Sequence, residues 1–471
     1  VTRHSVAAIV ADTLARADVP RVFAACGADA TIVDSLRERG STIVTTAGPT
    51  AACIMAAVTA ELGAAPGVAL VSVRDGVTAV VDGAAHATRD RAGVIVISDA
   101  GAESRLLQPV VKASVVVEPA SAAHWIAHAV QAALGHPRGA VHVGIASGVA
   151  SASAVPVGTT VQRSPEPVPP RDALDALAEA IAGASRPVLI AGLETTSEDA
   201  MWIRALAESL PAPVLTTAKG KGAVPDPHPL VLGLLAADHP LLAQADLLIT
   251  LGVDPVEVTP RVWPSGVTRI AVARAPHEEA LVADIALVLE ELAPRLRGRM
   301  QADWDVAALD RMKRVSTASA ARPVLTRRRV VELVRQATPA GTILALDVPL
   351  ASAWSSVAPR ECLIPNGVAT HGFALPAAIA AALARDRARV VAIGSAAGFD
   401  AMAQEWRTAT QLGVPIVAIA LNDRGAIEVS RAAESADVAV FSAHDESGFA
   451  AVFERAWRAN APTLIDAQLN R

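Results

Sequence analysis

His371-Gly372-Phe373-Ala374-Leu375-Pro376 opens the stretch whose reading decides the fold. It is followed by the apolar run Arg389-Val390-Val391-Ala392-Ile393, which stops at Gly394-Ser395-Ala396. A helical stretch carrying Glu405-Trp406 comes next, and a second apolar run, Val414 to Leu421, ends at Asn422-Asp423-Arg424-Gly425. Strand, small-residue turn, helix, strand and polar turn form a unit that aims backbone N–H groups and a helix start at an anion.

The same alternation extends upstream. From Ser5 to about Gly144, the short β-rich runs Arg21-Val22-Phe23, Thr42-Ile43-Val44, Val68 to Val71 and Val94 to Ile97 read as buried parallel strands. Ala51 to Leu62 and Val77 to Thr88 read as helices between them. A Pro- and Ser-containing stretch, Pro156 to Pro170, reads as a linker. The pattern then repeats, with helices at Ala173 to Ile181 and Glu198 to Leu210. Strands are predicted at Pro187 to Ala191, Pro213 to Thr216, Asp246 to Leu251 and Thr268 to Val272. An Arg-rich stretch near Arg311 to Arg329 leads to a third segment that begins at Ile343 to Asp347 and closes at Pro462 to Asp466. The expectation is an α/β chain of three doubly wound parallel-sheet domains at 1–155, 171–300 and 325–471.

Composition narrows the function. The 471 residues are 52% hydrophobic and 19% charged, with no apolar run of membrane-spanning length, so a soluble protein with large cores is expected. A net charge of −6 without Lys/Arg blocks argues against nucleic acid as a partner. Cys26, Cys53 and Cys362 have neither metal-ligand nor disulfide spacing, which points to a reducing cytoplasm, and no secretory signal is apparent in Thr2 to Val10. Tyr is absent, which removes one common general acid. No Gly-x-Ser-x-Gly word marks a hydrolase, and Gly27-Ala28-Asp29 has the wrong glycine spacing for a dinucleotide fingerprint.

The order and spacing from His371 to Gly425 resemble the C-terminal cofactor domain of thiamine diphosphate (ThDP) enzymes of the acetolactate synthase, benzoylformate decarboxylase and pyruvate decarboxylase type. Arg186 to Gly192, Thr216 to Gly222 and Ala245 to Gly252 resemble that family's central domain, which holds FAD or ADP in some members and nothing in others. The resemblance covers nearly the whole chain. It implies ThDP and Mg2+ as cofactors, a small 2-oxo acid as substrate for decarboxylation or carboligation, and a homodimer or homotetramer.

Residue by residue, the family's motifs are altered. Its first turn, Gly-Asp-Gly, is Gly394-Ser395-Ala396 here, and its second, Asn-Asn, is Asn422-Asp423. The resemblance assigns Gly48, His371, Gly372, Gly394, Ser395, Ala396 and Asn422 to the cofactor, and Asp423, Gly425 and the Ser395 hydroxyl to the metal. One carboxylate is lost at Ser395 and one is gained at Asp423, which suits the oxygen ligands that Mg2+ prefers. In the family a Glu on the N-terminal domain helps the cofactor lose its thiazolium C2 proton. That position is Gly48, within Thr46-Ala47-Gly48-Pro49, with no carboxylate near it in sequence; Glu61 lies more than three helical turns away. The plain alternative is a turn that starts a helix with Pro at its first position.

His371 takes the place of the large apolar residue that bends the cofactor, and it is an acid or base candidate. It is equally readable as a hydrogen-bonded histidine at a helix start. Asp75 falls in the loop beneath the family's site or caps the helix at Val77. The segment between Gly425 and Pro462 is shorter than usual in the family, which implies a wetter site. Two other readings stand beside the enzyme: a catalytically silent relative that keeps the fold for binding, and a cofactor-independent enzyme using His371 and Asp423 as acid and base.

Overall fold

In the computed structural model, residues 4–469 are described except 75, 162–164, 278–279, 300–301, 318–324, 368–370 and 424–427. Three parallel α/β sheets are present, one from each predicted segment. By contacts the chain forms two compact units. The N- and C-terminal segments make up one, and residues 165–343 with 349–364 make up the other. No helix among the described residues is long and apolar enough to cross a membrane.

The N-terminal sheet runs in the order Thr42–Thr46, Arg21–Ala25, Gly67–Val71, Val94–Asp99, Ala140–Ile145 and Ala113–Val117, all parallel. Helix Pro49–Leu62 is buried on nearly every face, from Ala51 through Ala60. It packs against the sheet, against helix Val77–Arg89 and against helix Ala374–Ala384 of the C-terminal segment. Such three-sided burial explains its lack of an amphipathic pattern. Small residues make the approach possible: a Cβ on Gly67 would lie 2.0 Å from the Ala56 carbonyl oxygen, and one on Gly83 would lie 2.4 Å from Cys53 Cβ. This is the physical use of an Ala-rich, Tyr-free core.

The third sheet includes, side by side, Ile343–Leu346, Val390–Ser395, Ile416–Asn422, Thr463–Gln468 and Ala439–Ala443. Val390 pairs with Ile416 and Ser395 with Leu421, so the two turns that follow leave the sheet from the same end. Between them, Phe399 and Trp406 stack with centroids 5.8 Å apart and are fully buried. Each such ring removes roughly 150–250 Å² from water, so the pair anchors the connecting segment to the sheet.

The central sheet runs Val231–Leu234, Val214–Thr216, Pro187–Ala191, Leu247–Leu251, Thr268–Ala273 and Ala280–Val282, also parallel. Beyond its strand ends, Glu257 accepts hydrogen bonds from Leu193 N (2.8 Å), Asp254 N (3.2 Å) and the Thr217 hydroxyl (2.5 Å). Burial nevertheless dominates and pushes its carboxyl up to about 7 from 4.5. The folded state thus holds this proton more tightly than the unfolded chain does. The stability linked to it is intact below 4.5 and is lost as pH rises through 7. Glu257→Gln is expected to flatten the melting-temperature profile between pH 5 and 8 by a few degrees, measured by scanning calorimetry; an unchanged slope would refute the assignment.

Candidate cofactor site

The predicted turn at Gly394-Ser395-Ala396 is a helix start. Ser395 is the N-cap of helix Ala396–Ala401, with its hydroxyl accepting from Gly398 N at 3.0 Å, and Ala396 is the first helical residue, largely buried. Gly372 has φ +84, and a Cβ there would lie 2.5 Å from Met402 Cγ and 2.6 Å from the Gly398 carbonyl oxygen. Glycine is therefore required at 372 on two counts. Together these contacts bring His371, Gly372, Gly394, Ser395 and Ala396 into one compact corner, with His371 exposed at its edge.

A residue not assigned from the sequence forms the floor of that corner. Asp347, just past strand Ile343–Leu346, accepts from Ser395 N at 3.3 Å and also from Ala374 N at the start of the next helix. A Cβ on Gly394 would lie 2.6 Å from one of its oxygens, and one on Gly398 would lie 2.8 Å from the other. Burial pushes the Asp347 carboxyl up to about 6, opposed by those two N–H bonds and by the nearby His371. A lone carboxylate at the carboxyl end of a buried parallel strand is the signal that marks it in the sequence.

Asn422 ends strand Ile416–Asn422 and is buried, and its amide donates to Asp466 Oδ1 at 2.9 Å on the neighbouring strand. Its side chain thus ties strands together in addition to lying at the second turn. Asp423 follows, half-buried. Gly425 and Asp75 lie outside the described residues.

Gly48 lies at a helix start with a carboxylate close to it in space. Gly48 is the N-cap of helix Pro49–Leu62, with Pro49 at its first position, as the plain alternative holds. A carboxylate does lie beside it: Glu405 Oε1 accepts from Ala47 N at 2.9 Å and from Gly48 N at 3.2 Å, and Thr408 donates to Oε2 at 2.7 Å. The sequence neighbourhood misses this group because it arrives from helix Glu405–Leu412, more than three hundred residues later. Burial raises the Glu405 pKa against the pull of those three hydrogen bonds.

The donor set fits a divalent cation in kind. The Ser395 hydroxyl uses one acceptor lone pair on Gly398 N and keeps another, and Asp423 supplies a carboxylate at the adjacent strand end. No group of three or more His, Cys, Asp or Glu side chains is arranged to hold a metal among the described residues. Any ion here is held by few protein carboxylates, the usual condition for Mg2+ beside a phosphate. For a diphosphate the fit is narrower, since the Ser395 and Ala374 N–H groups already serve Asp347.

A three-sheet α/β chain with this corner in its last segment defines a class of protein, and comparison with known proteins supplies the family. Three family models match in order: the thiamine pyrophosphate enzyme N-terminal TPP binding domain over residues 4–114, the central domain over 174–292 and the C-terminal TPP binding domain over 347–430. The chain belongs to the ThDP-dependent enzyme family. It is 29% identical to the catabolic acetolactate synthase of Raoultella terrigena, across 88% of this chain and 82% of that protein. It is 32% identical to a probable 2-ketoarginine decarboxylase of Pseudomonas aeruginosa, across 54% of this chain and 49% of that one. The fold matches the structure of the ThDP-dependent 4-hydroxybenzoylformate decarboxylase of Rhodococcus jostii RHA1 with a TM-score of 0.83, over 99% of both chains at 21% identity.

Proposed function

We propose that this chain binds ThDP with Mg2+ in the corner between Gly372, Ser395 and Asn422–Asp423, and acts slowly on a 2-oxo acid as a lyase or transferase. The observation that carries the reading is the pair of parallel strand ends, Ser395 beside Leu421, which sets a carboxylate-bearing turn next to a glycine-lined helix start. Bound there, ThDP supplies an acidic C–H whose loss lets it attack a carbonyl. Asp423 and the Ser395 hydroxyl would hold the ion, with Gly425 supplying a carbonyl. His371, exposed at the edge, would meet the cofactor or substrate and exchange a proton with it. Slow turnover follows from Gly48, which has no side chain to activate the cofactor. Assembly as a homodimer or homotetramer in the cytoplasm belongs to the same reading.

Calorimetric titration with ThDP and Mg2+ tests it. Binding is expected in the wild type, and Asp423→Ala is expected to weaken it by at least about tenfold, since losing even an outer partner of a metal ligand costs about ten- to a hundredfold. Absence of heat in the wild type would sink the enzyme reading. A second reading, a silent relative, would then stand, and it draws on Asp347: an internal carboxylate already takes the N–H groups that an anion would use.

A further inference from the structure

A cleft of about 560 Å³ opens beside the turn that carries Gly48, within the unit formed by the N- and C-terminal segments. None of the corner residues His371, Gly372, Ser395 or Asp347 lines it. One wall is a single helical face, Gln404, Arg407 and Gln411, spaced three and four residues apart. The opposite wall is the end of the edge strand at Thr45 and Thr46, with Cys26 beside it. Alanines, among them Ala403 and Ala436, supply much of the remaining lining. The volume falls in the range of small-molecule sites, roughly 300–1,000 Å³.

Charge narrows the occupant. Among the described residues, Arg407 is the only charged side chain lining the cleft and no carboxylate pairs with it. Its guanidinium presents a planar fork of donors that matches a carboxylate in two parallel hydrogen bonds. A dianion is disfavoured, because a single cation faces it and the buried Glu405 carboxylate lies close by, bound to the cleft-lining Ala47 N and Thr408 hydroxyl. The four alanines of the lining suit a short apolar body, and the two glutamines supply neutral hydrogen bonds.

We infer that this cleft binds a small organic monocarboxylate, with Arg407 holding the carboxylate and the alanines of the lining packing against an aliphatic tail. Occupancy bears on the neighbouring turn through the helix that carries both Arg407 and Glu405, since Glu405 holds the Ala47 and Gly48 N–H groups.

Cys26 gives a direct readout, because it is exposed whereas Cys53 and Cys362 are buried. The full-length protein is treated with a maleimide, and the rate of Cys26 modification is followed while 4-methylpentanoate is titrated in. Protection is expected at concentrations on the order of millimolar. Arg407→Gln is expected to weaken it at least about tenfold, as for loss of a charge-assisted bond. Arg407→Lys, which keeps the charge and loses the fork, should fall between the two. Arg407 is exposed, so the variants are expected to fold, and their melting temperatures check this. Equal protection by the neutral amide of the same acid, or unchanged protection in Arg407→Gln, overturns the assignment. Stronger protection by inorganic phosphate overturns the monocarboxylate class. Calorimetry at the same concentrations covers a ligand that binds without shielding Cys26: no protection and no heat together overturn the site.

Discussion

Replacing Arg274 by Leu is expected to cost the central unit about 3–5 kcal/mol, the range for breaking a buried ion pair by removing one partner. Arg274 meets Asp199 through two bonds, of 2.8 and 3.0 Å, and Asp284 through one of 2.8 Å. Asp199 has no exposed surface and is also the third residue of the capping box begun by Thr196. Asp284 caps helix Ile285–Leu296 through Leu287 N. One guanidinium therefore joins the N-terminal ends of two helices to the end of strand Thr268–Ala273. Burial by itself would lower the pKa of Arg274, but the hydrogen bonds and charges of Asp199 and Asp284 outweigh it and hold the cation firmly charged. Leucine would leave Asp199 buried without its cation, and that orphaned charge accounts for most of the loss. Scanning calorimetry should show a transition lowered by roughly 6–20 °C. The double variant Arg274→Leu with Asp199→Asn should recover part of it, because the two residues act as one unit. A shift under about 2 °C would show that the cluster is spread over water rather than buried.

The same cluster bears on the unassigned central domain. In open α/β sheets, ligands sit outside the carboxyl ends of the strands where the strand order reverses, here between Pro187–Ala191 and Leu247–Leu251. Close packing and charge occupy that region in this chain. A Cβ on Gly192 would lie 2.5 Å from Val253 Cα, Glu194 accepts from Arg274 N and Ala275 N, and Glu257 bridges three further donors. The words that place the domain in its family, such as Pro187 to Ala191, are strand interiors. They identify the scaffold and leave the ligand open.

What was legible in the sequence follows from where each residue's partners lie. Buried strands such as Pro187–Ala191 and Val390–Ser395 read as continuous apolar runs, because both faces are covered. Ala113–Val117 and Ala439–Ala443 escaped because they are edge strands with only part of each face buried. Val231–Leu234 and Ala280–Val282 are edges too, and only four and three residues long. The turns at Gly372, Gly394 to Ala396 and Asn422 were legible as turns, because glycine and cap residues signal them. Glu405 was not, since its partners lie hundreds of residues away and no local pattern announces them, and Asp347 left only its place at a strand end as a signal, its partner Ser395 lying tens of residues on.

Gly48→Glu is the substitution expected to change activity most. Gly48 has φ −140 and ψ 160, which any residue adopts, and a Cβ there meets nothing within 4 Å. The side chain would start from the N-terminus of helix Pro49–Leu62, where a negative charge is favoured by the helix dipole. The variant should fold with a melting temperature within a few degrees of the wild type. Glu405 is the neighbour that tunes it. Its carboxylate is bound to Gly48 N at 3.2 Å and already has a raised pKa from burial, so a second carboxyl nearby would raise both. An acid displaced toward neutrality is suited to passing protons at the operating pH, and general acid–base groups contribute about 10²–10⁴-fold. Exchange of the ThDP C2 proton into D2O, followed by NMR on the protein with ThDP and Mg2+ bound, should accelerate by that range, and release of CO2 from a 2-oxo acid should rise with it. Glu405→Gln added to Gly48→Glu should move the pH midpoint of the gain downward, because one like charge is gone. If the cofactor binds to Gly48→Glu and its exchange rate is no faster than with the wild type, the missing acid is not what limits this chain, and the anion-mimicking carboxylate of Asp347 becomes the next group to remove.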